Sequence, residues 1–286
     1  MKYKDKYDLI FLTTHQNNNY IFELLNSINI IEDFNLFVLI LSQDVKLEIS
    51  EYKFDIEVVE IGKMSLSKAR NIGLKFLSKN NINSRYIMFP DDDSTFDISF
   101  FENFNNVTES GDNFIIPIYC KNSDKKLYLG KKLKEGELLN YKNHYMIGSP
   151  NQIINYERNV ISINFDEKLG VGAVYGSCED FDLFIRLNNK GEKFYYSSIL
   201  YNYHPEKMNS FRNLDSNSIY NRITSYSLGF IYILEKYKLF SLLPYFFIRP
   251  ILASFFYLLK LNFKLFWVYF RLLFFRVLNT FKFLIK

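Results

Sequence analysis

Apolar and polar positions in the first ninety residues alternate between two rhythms. Tyr7-Asp-Leu-Ile-Phe-Leu-Thr13 is a short apolar run that reads as a strand, and Tyr20 to Ile30 carries apolar residues at helical spacing, which predicts a helix. Leu36 to Leu41 and Ile56 to Ile61 predict two more strands, and about Leu66 to Leu77 a second helix. Tyr86-Ile-Met-Phe-Pro90 then predicts a buried strand that delivers Asp91-Asp92-Asp93 to the rim of a sheet. Strands alternating with helices imply right-handed crossovers and a mainly parallel, Rossmann-like α/β sheet at this end.

Beyond the triplet, Phe100 to Val107 is helix-like and Phe114 to Cys120 strand-like, whereas the Lys-rich, Gly-punctuated stretch Lys121 to Glu137 reads as loops or a hairpin. Gln152 to Tyr156 predicts a strand, and Phe165-Asp-Glu-Lys-Leu-Gly170-Val-Gly172-Ala173 a glycine-hinged loop. In Glu179-Asp180-Phe-Asp182-Leu-Phe-Ile-Arg186-Leu187, the apolar Leu183, Phe184 and Leu187 form one helical face behind an acidic first turn, where the helix dipole stabilises acids. A Tyr-bearing strand from Lys193 to Tyr203 ends in His204-Pro205. No internal repeat interrupts this order.

Composition narrows the class. The chain has 286 residues, 48% of them apolar and 23% charged, which fits a globular protein rather than a disordered one. Two cysteines, Cys120 and Cys178, argue against a disulfide scaffold and for a reducing cytoplasm. The N-terminal apolar run is too short for a signal-peptide core, so secretion is not expected. The net charge of +4 hides a division: eight bases and no acid from Lys238 onward, against 27 bases and 31 acids before it. An acidic body makes nucleic acid a poor partner, and a basic tail suits an anionic membrane surface or an acidic partner.

Two carboxylates one residue apart, as Asp91 and Asp93 are, can flank one hard divalent cation that also holds nucleotide phosphates; the plainer alternative is a solvated acidic turn. No Gly-x-Gly-x-x-Gly or Walker loop follows the first strand, which disfavours a dinucleotide or P-loop site. Three motifs stand in order: Ser65-Leu-Ser67-Lys-Ala69-Arg70-Asn71-Ile-Gly73, then Asp91-Asp92-Asp93, then Glu179-Asp180-Phe-Asp182 with His204-Pro205 downstream. Over roughly residues 5–210 this set resembles the family 2 glycosyltransferases of the GT-A fold. The Phe165 to Ala173 loop is most similar to that of bacterial members that build capsular and other surface polysaccharides.

The resemblance implies a fold, a reaction and roles. The expected domain is a GT-A unit over 1–210, with a nucleotide-sugar half at about 1–95 and an acceptor half at about 96–210. Asp91 and Asp93 match the family's Asp-x-Asp, so with His204 they are the expected ligands of Mn²⁺ or Mg²⁺, with Asp91 or Asp92 near the donor ribose. Thr14, Ser42, Ser67 and Arg70 are expected at the nucleotide-sugar, a UDP-sugar by resemblance. Ser42 stands where the family's second strand ends in the Asp that reads uracil, so that contact falls to Ser42, Gln43 or Asp44. Asp180 matches the catalytic base of an inverting transfer, with a helix cap as the plainer alternative. Glu179 is expected to bind acceptor hydroxyls or orient the base, and Asp182 to face solvent. Arg70 alternatively pins the sheet through nearby acids, and His204 serves structure alone.

A helical connector over 211–237 leads to the tail, 238–286. Its uncharged runs of about ten residues fall short of the roughly 20 that span a bilayer. Read as one helix from Pro250 at about 100° per residue, it gathers Lys260, Lys264, Arg271, Lys282 and Lys286 within roughly 80°, with Arg276 opposite. Such a helix lies at an interface or packs on the enzyme's own core. The sequence thus predicts a peripheral enzyme on the cytoplasmic face of the membrane that glycosylates a lipid-linked saccharide. A nucleotidyltransferase, which needs a Gly-rich basic loop that Thr14-His-Gln-Asn-Asn-Asn does not provide, and a non-catalytic scaffold are the other readings.

Overall fold

The computed structural model of the chain describes residues 6–16, 19–121, 126–206 and 215–284. It divides into two compact units, Met1–Phe165 with Asp180–Lys207, and Asp166–Glu179 with Met208–Lys286.

The first unit is built on a sheet ordered β3-β2-β1-β4-β7-β5-β8. Strands β1 (Tyr7–His15), β2 (Leu36–Gln43), β3 (Asp55–Ile61) and β4 (Ser84–Met88) run parallel, joined by α1 (Tyr20–Ile28) and α2 (Leu66–Lys79). Strands buried on both faces need continuous apolar runs, and every residue of β2 is buried. Helix α2 lies so close to β1 that a Cβ on Gly73 would meet Leu12 Cδ1 at 2.7 Å, which is why a glycine stands inside a helix there. After α3 (Ile98–Val107) come β5 (Asn113–Ile115), β6 (Ile118–Cys120), β7 (Gln152–Asn155), the short α4 (Tyr156–Asn159), α5 (Glu179–Asn189), β8 (Phe194–Tyr196) and β9 (Asn202–His204). Only β7 opposes its neighbours β4 and β5. The mixed α/β, mostly parallel GT-A architecture expected from the sequence is the one observed.

Two strands expected to be continuous are broken, and they break in step. The Phe114 to Cys120 run divides at Ile116-Pro117, since proline offers no N–H to a ladder. The Lys193 to Tyr203 run divides at 197–201. In the large sheet β5 pairs with β8, and past the breaks β6 pairs with β9 in a second, two-stranded sheet. Both chains leave the main sheet together, which carries His204 away from its plane. Asp182 also departs from expectation. It is fully buried rather than solvated, and holds Arg186 Nε at 2.8 Å, while that guanidinium donates to Asn164 Oδ1 at 2.9 Å. A carboxylate buried this deeply stays only because it is paired.

The second unit contains α6 (Ser216–Lys236), α7 (Leu243–Leu259) and α8 (Phe263–Leu284). The single tail helix expected from Pro250 onward is two helices. Helix α7 ends with Leu261 in the left-handed region (φ 51°), Asn262 N–H donating to Tyr257 O at 2.9 Å and Leu261 N–H to Leu258 O at 3.0 Å, which is a Schellman end. Asn262 then caps α8, its Oδ1 accepting from Leu265 N at 3.1 Å. The stripe therefore survives only within α8, as Lys264, Arg271 and Lys282; Lys286 lies outside the described residues.

Arg276, opposite that stripe, is the polar staple of the helices. Pro250 sits inside α7 and has no N–H, so the carbonyl of Phe246 lacks its helical donor. Arg276 Nη1 donates to Phe246 O, its Nε donates to Ser227 Oγ of α6 at 3.0 Å, and its guanidinium lies 4.1 Å from the Phe246 ring centroid. Burial, with Arg249 nearby, pulls Arg276 down to about 10, still charged at neutral pH. Removing it strands a buried carbonyl, so Arg276→Ala is expected to cost about 1–3 kcal/mol in urea unfolding. In a Pro250→Ala background the substituted residue supplies a backbone N–H to the Phe246 carbonyl, and the same change should cost less. Equal cost in both backgrounds would contradict the staple.

Candidate active site

The acid triplet follows β4 through Phe89-Pro90 and turns at once, Ser94 N–H donating to Asp91 O at 3.0 Å. The next residue fixes its partner. Thr95 and Tyr203 exchange backbone hydrogen bonds at 2.9 Å in each direction, an antiparallel bridge that sets the triplet against the end of β9. His204 Nε2 consequently lies 2.9 Å from Asp93 Oδ1 and 3.6 Å from Asp91 Oδ2. On the other side of the ring, Nδ1–H donates to Pro205 O at 2.9 Å, and Tyr128 stacks on the imidazole with centroids 4.1 Å apart. A ring whose Nδ1–H is committed to a carbonyl presents Nε2 as its working atom.

These three side chains form the one acid and histidine group able to hold a metal ion among the described residues. The donor set fits a divalent cation on a second count. Asp93 Oδ1 is buried, and its contact is the 2.9 Å ion pair with Nε2. Burial pulls the His204 pKa down, but the bonds to Asp91, Asp93 and the Pro205 carbonyl outweigh it and raise the value to about 9. The two carboxylates thus hold His204 toward its charged form. Asp92 turns elsewhere, with Oδ2 3.4 Å from Nδ1 of the buried His15 at the end of β1.

Asp180 stands in the first turn of α5. Ser149 Oγ donates to its Oδ1, Arg70 Nη1 lies 3.3 Å from the same oxygen, and Gln152 Nε2 donates to its backbone carbonyl at 3.2 Å. Burial raises the Asp180 pKa; Arg70 and the Ser149 hydroxyl oppose this, and the charge of nearby Asp91 adds to it. The net effect is upward, burial outweighing Arg70 and the Ser149 hydroxyl, so this carboxylate is a stronger base than an ordinary aspartate. Arg70 is itself buried in α2, its guanidinium 5.2 Å from the Phe165 ring and 5.7 Å from that of Phe89. Its neighbour Asn71 clamps Phe165 in both directions, Nδ2 donating to the carbonyl at 2.9 Å and Oδ1 accepting from the N–H at 2.8 Å.

The structure thus draws Asp91, Asp93 and His204 into one group, with Arg70 on Asp180 and Asp91 close enough to act on it. The other expected residues sit apart. Ser42 is buried, and its hydroxyl donates to Val45 O at 2.7 Å. Gln43 accepts from Met64 N at 3.0 Å, whereas Asp44 is exposed in a left-handed conformation (φ 54°), accepting from Lys63 N at 3.1 Å. Thr14 is half-buried beside Leu41, and Ser67 fully buried in the first turn of α2. Glu179 is buried, and the division between the two units falls between it and Asp180. Ser149, Tyr128, His15 and Asn71 are site residues that spacing did not reveal; only Asn71, inside the Ala69-Arg70-Asn71 motif, carried a signal.

No family model and no curated protein matches the chain. Solved structures do. Staphylococcus aureus TarS, residues 1–349 with UDP-GlcNAc, aligns with a TM-score of 0.50 at 16% identity over 78% of this chain and 66% of that one. The same fragment with UDP gives 0.49 at 16% identity over 78% and 65%, and a longer TarS gives 0.47 at 14% over 77% and 39%. The chain thus spans just under two thirds of the TarS fragment. At these identities the likeness is one of fold.

Proposed function

We propose that this protein is an inverting, metal-dependent glycosyltransferase that moves a sugar from a nucleoside-diphosphate donor to a lipid-linked saccharide in bacterial surface-polysaccharide assembly. The observation that carries the reading is the placement of Asp180, a half-buried carboxylate made more basic than usual, beside the Asp91, Asp93 and His204 group at the sheet edge. Asp180 takes the proton of the acceptor hydroxyl as that oxygen bonds to the anomeric carbon and the bond to the diphosphate breaks. Arg70 and Ser149 hold the carboxylate in place for this step. A divalent ion held by Asp91, Asp93 and His204 would neutralise the departing diphosphate. Glu179 serves the acceptor side, while Thr14, Ser67, Arg70 and Asp92 shape the donor side. With Ser42 spent within its own loop, the base contact falls to exposed Asp44. The UDP-GlcNAc bound by TarS supports a UDP-sugar donor. The basic tail supports a place on the cytoplasmic face of the membrane, where a lipid-linked acceptor is presented.

Slow metal-dependent hydrolysis of nucleotide sugars by the purified protein tests the reading as a whole; failure of every donor would favour a non-catalytic scaffold. Asp93→Ala is expected to abolish binding of nucleoside diphosphate with Mn²⁺ in calorimetry, and wild-type affinity in that variant would contradict the metal site. Asp180→Asn should keep donor affinity and lower the transfer rate by roughly 10²-fold or more. A near-normal rate would leave Asp180 a structural residue.

A pH dependence follows from the raised His204 value. An ion that takes Nε2 must displace a proton held up to about pH 9, so Mn²⁺ affinity should climb as pH rises toward 9. The slope should approach tenfold per unit, the limit for one competing proton, and His204→Gln should flatten it. Affinity independent of pH between about 6 and 9, where the His204 proton is held and competes with the ion, would remove His204 from the ligands.

A further inference from the structure

We propose that the hairpin of α7 and α8 lies flat in the surface of an anionic phospholipid bilayer, one apolar face immersed, and does not cross it. The choice of partner rests on the membrane reading above, while the in-plane geometry rests on the helices themselves.

Helix α8 cannot choose its own rotation. Val268, Leu272 and Thr280 are buried, and Arg276 is tied to Ser227 and Phe246. At about 100° per residue, the exposed Phe263, Trp267, Phe274, Leu278 and Phe281 then fall within roughly 60° of one another. Exposed Lys264, Arg271 and Lys282 occupy roughly the next 40°, so one border of the apolar band is basic along the helix. Helix α7 repeats the plan. Buried Phe246, Pro250 and Ser254 fix its inner side, and exposed apolar side chains from Tyr245 to Leu259 cover an arc of roughly 160° with Arg249 just beyond its edge. An apolar band with cations along one rim is the shape of a helix lying at the boundary between acyl chains and head groups.

Length alone points the other way, since Phe240–Leu259 is 20 residues and apolar enough to span. The cations decide against it. Arg249 stands exposed in mid-window, and Lys260 and Lys264 flank the hairpin turn that crossing would drag through the hydrocarbon. Each such charge at the bilayer centre lowers partition on the order of 100-fold. A second copy is also a poor occupant. The segment from Lys238 onward contains no acid, so two such faces would meet base against base.

Trp267 is the only tryptophan of the chain, and it is 56% exposed within the band, so its emission reports this face alone. The full-length protein is mixed with vesicles of phosphatidylcholine containing phosphatidylglycerol. Expected are a blue shift and stronger quenching by lipids brominated high on the acyl chain than by those brominated near its end; the opposite order would overturn shallow insertion. Replacing Lys264, Arg271 and Lys282 together by Gln should weaken binding on the order of 100-fold at low salt, and no change would overturn the basic rim. Topology is read from Ser241→Cys and Lys260→Cys, each with Cys120 and Cys178 replaced, using an impermeant maleimide on sealed vesicles. Labelling of both from outside supports the flat hairpin. Labelling from opposite sides leaves attachment standing and overturns the in-plane geometry. Absence of any sedimentation with vesicles instead removes the membrane reading itself, and a blue shift with protein concentration alone assigns the face to a second copy.

Discussion

The pair of buried Arg70 and half-buried Asp180 is the interaction on which the site depends. A guanidinium as buried as that of Arg70 is costly to leave without its carboxylate. The pair joins residues 110 apart in sequence, one on α2 and the other on α5. Around it the packing is aromatic: Phe89, just ahead of the acid triplet, meets Phe165 edge-on at 5.0 Å, and both rings face the Arg70 guanidinium. Asn71 fastens Phe165 from the next position on the same helix. Two consecutive residues of α2 thus secure Asp180 and the approach to the triplet.

The second constraint is the Thr95 and Tyr203 bridge. It acts only because the chain leaves the main sheet twice, at Pro117 and at 197–201, so that β6 and β9 form a separate ladder. The two breaks that cut the expected strands short are therefore what complete the acid and histidine group. The chemistry then divides between environments. His204 is pushed toward its charged form by two carboxylates, and Asp180 toward its neutral form by burial, so neighbouring groups are prepared for opposite tasks.

Much of this was legible in the sequence where one physical signal dominated. Apolar runs located β1 to β4 and the triplet at their rim, and helical spacing located α2 and α5. The motif order singled out Arg70, Asp91, Asp93, Asp180 and His204 before any contact was known. What escaped lacked a local signal. Leu261 takes the left-handed conformation at the end of α7 without being glycine, so that break does not announce itself, and the tail from Pro250 reads as one helix. Asp182 reads as a surface acid because an i,i+4 pair with Arg186 is usually solvated, and its burial shows only once the loop at 162–164 folds against Arg186. Ser149 comes from a short turn 31 residues before Asp180, with nothing local to mark it.

Under the proposed function the labour divides: Asp91, Asp93 and His204 hold the cation and Asp180 does not. Anomalous diffraction from crystals grown with Mn²⁺ and a nucleoside diphosphate separates the two roles. One strong manganese peak is expected, bonded to Asp93 and His204, with Asp91 beside it and Asp180 still on Arg70 and Ser149. A peak ligated by Asp180, or manganese away from the triplet, would contradict it.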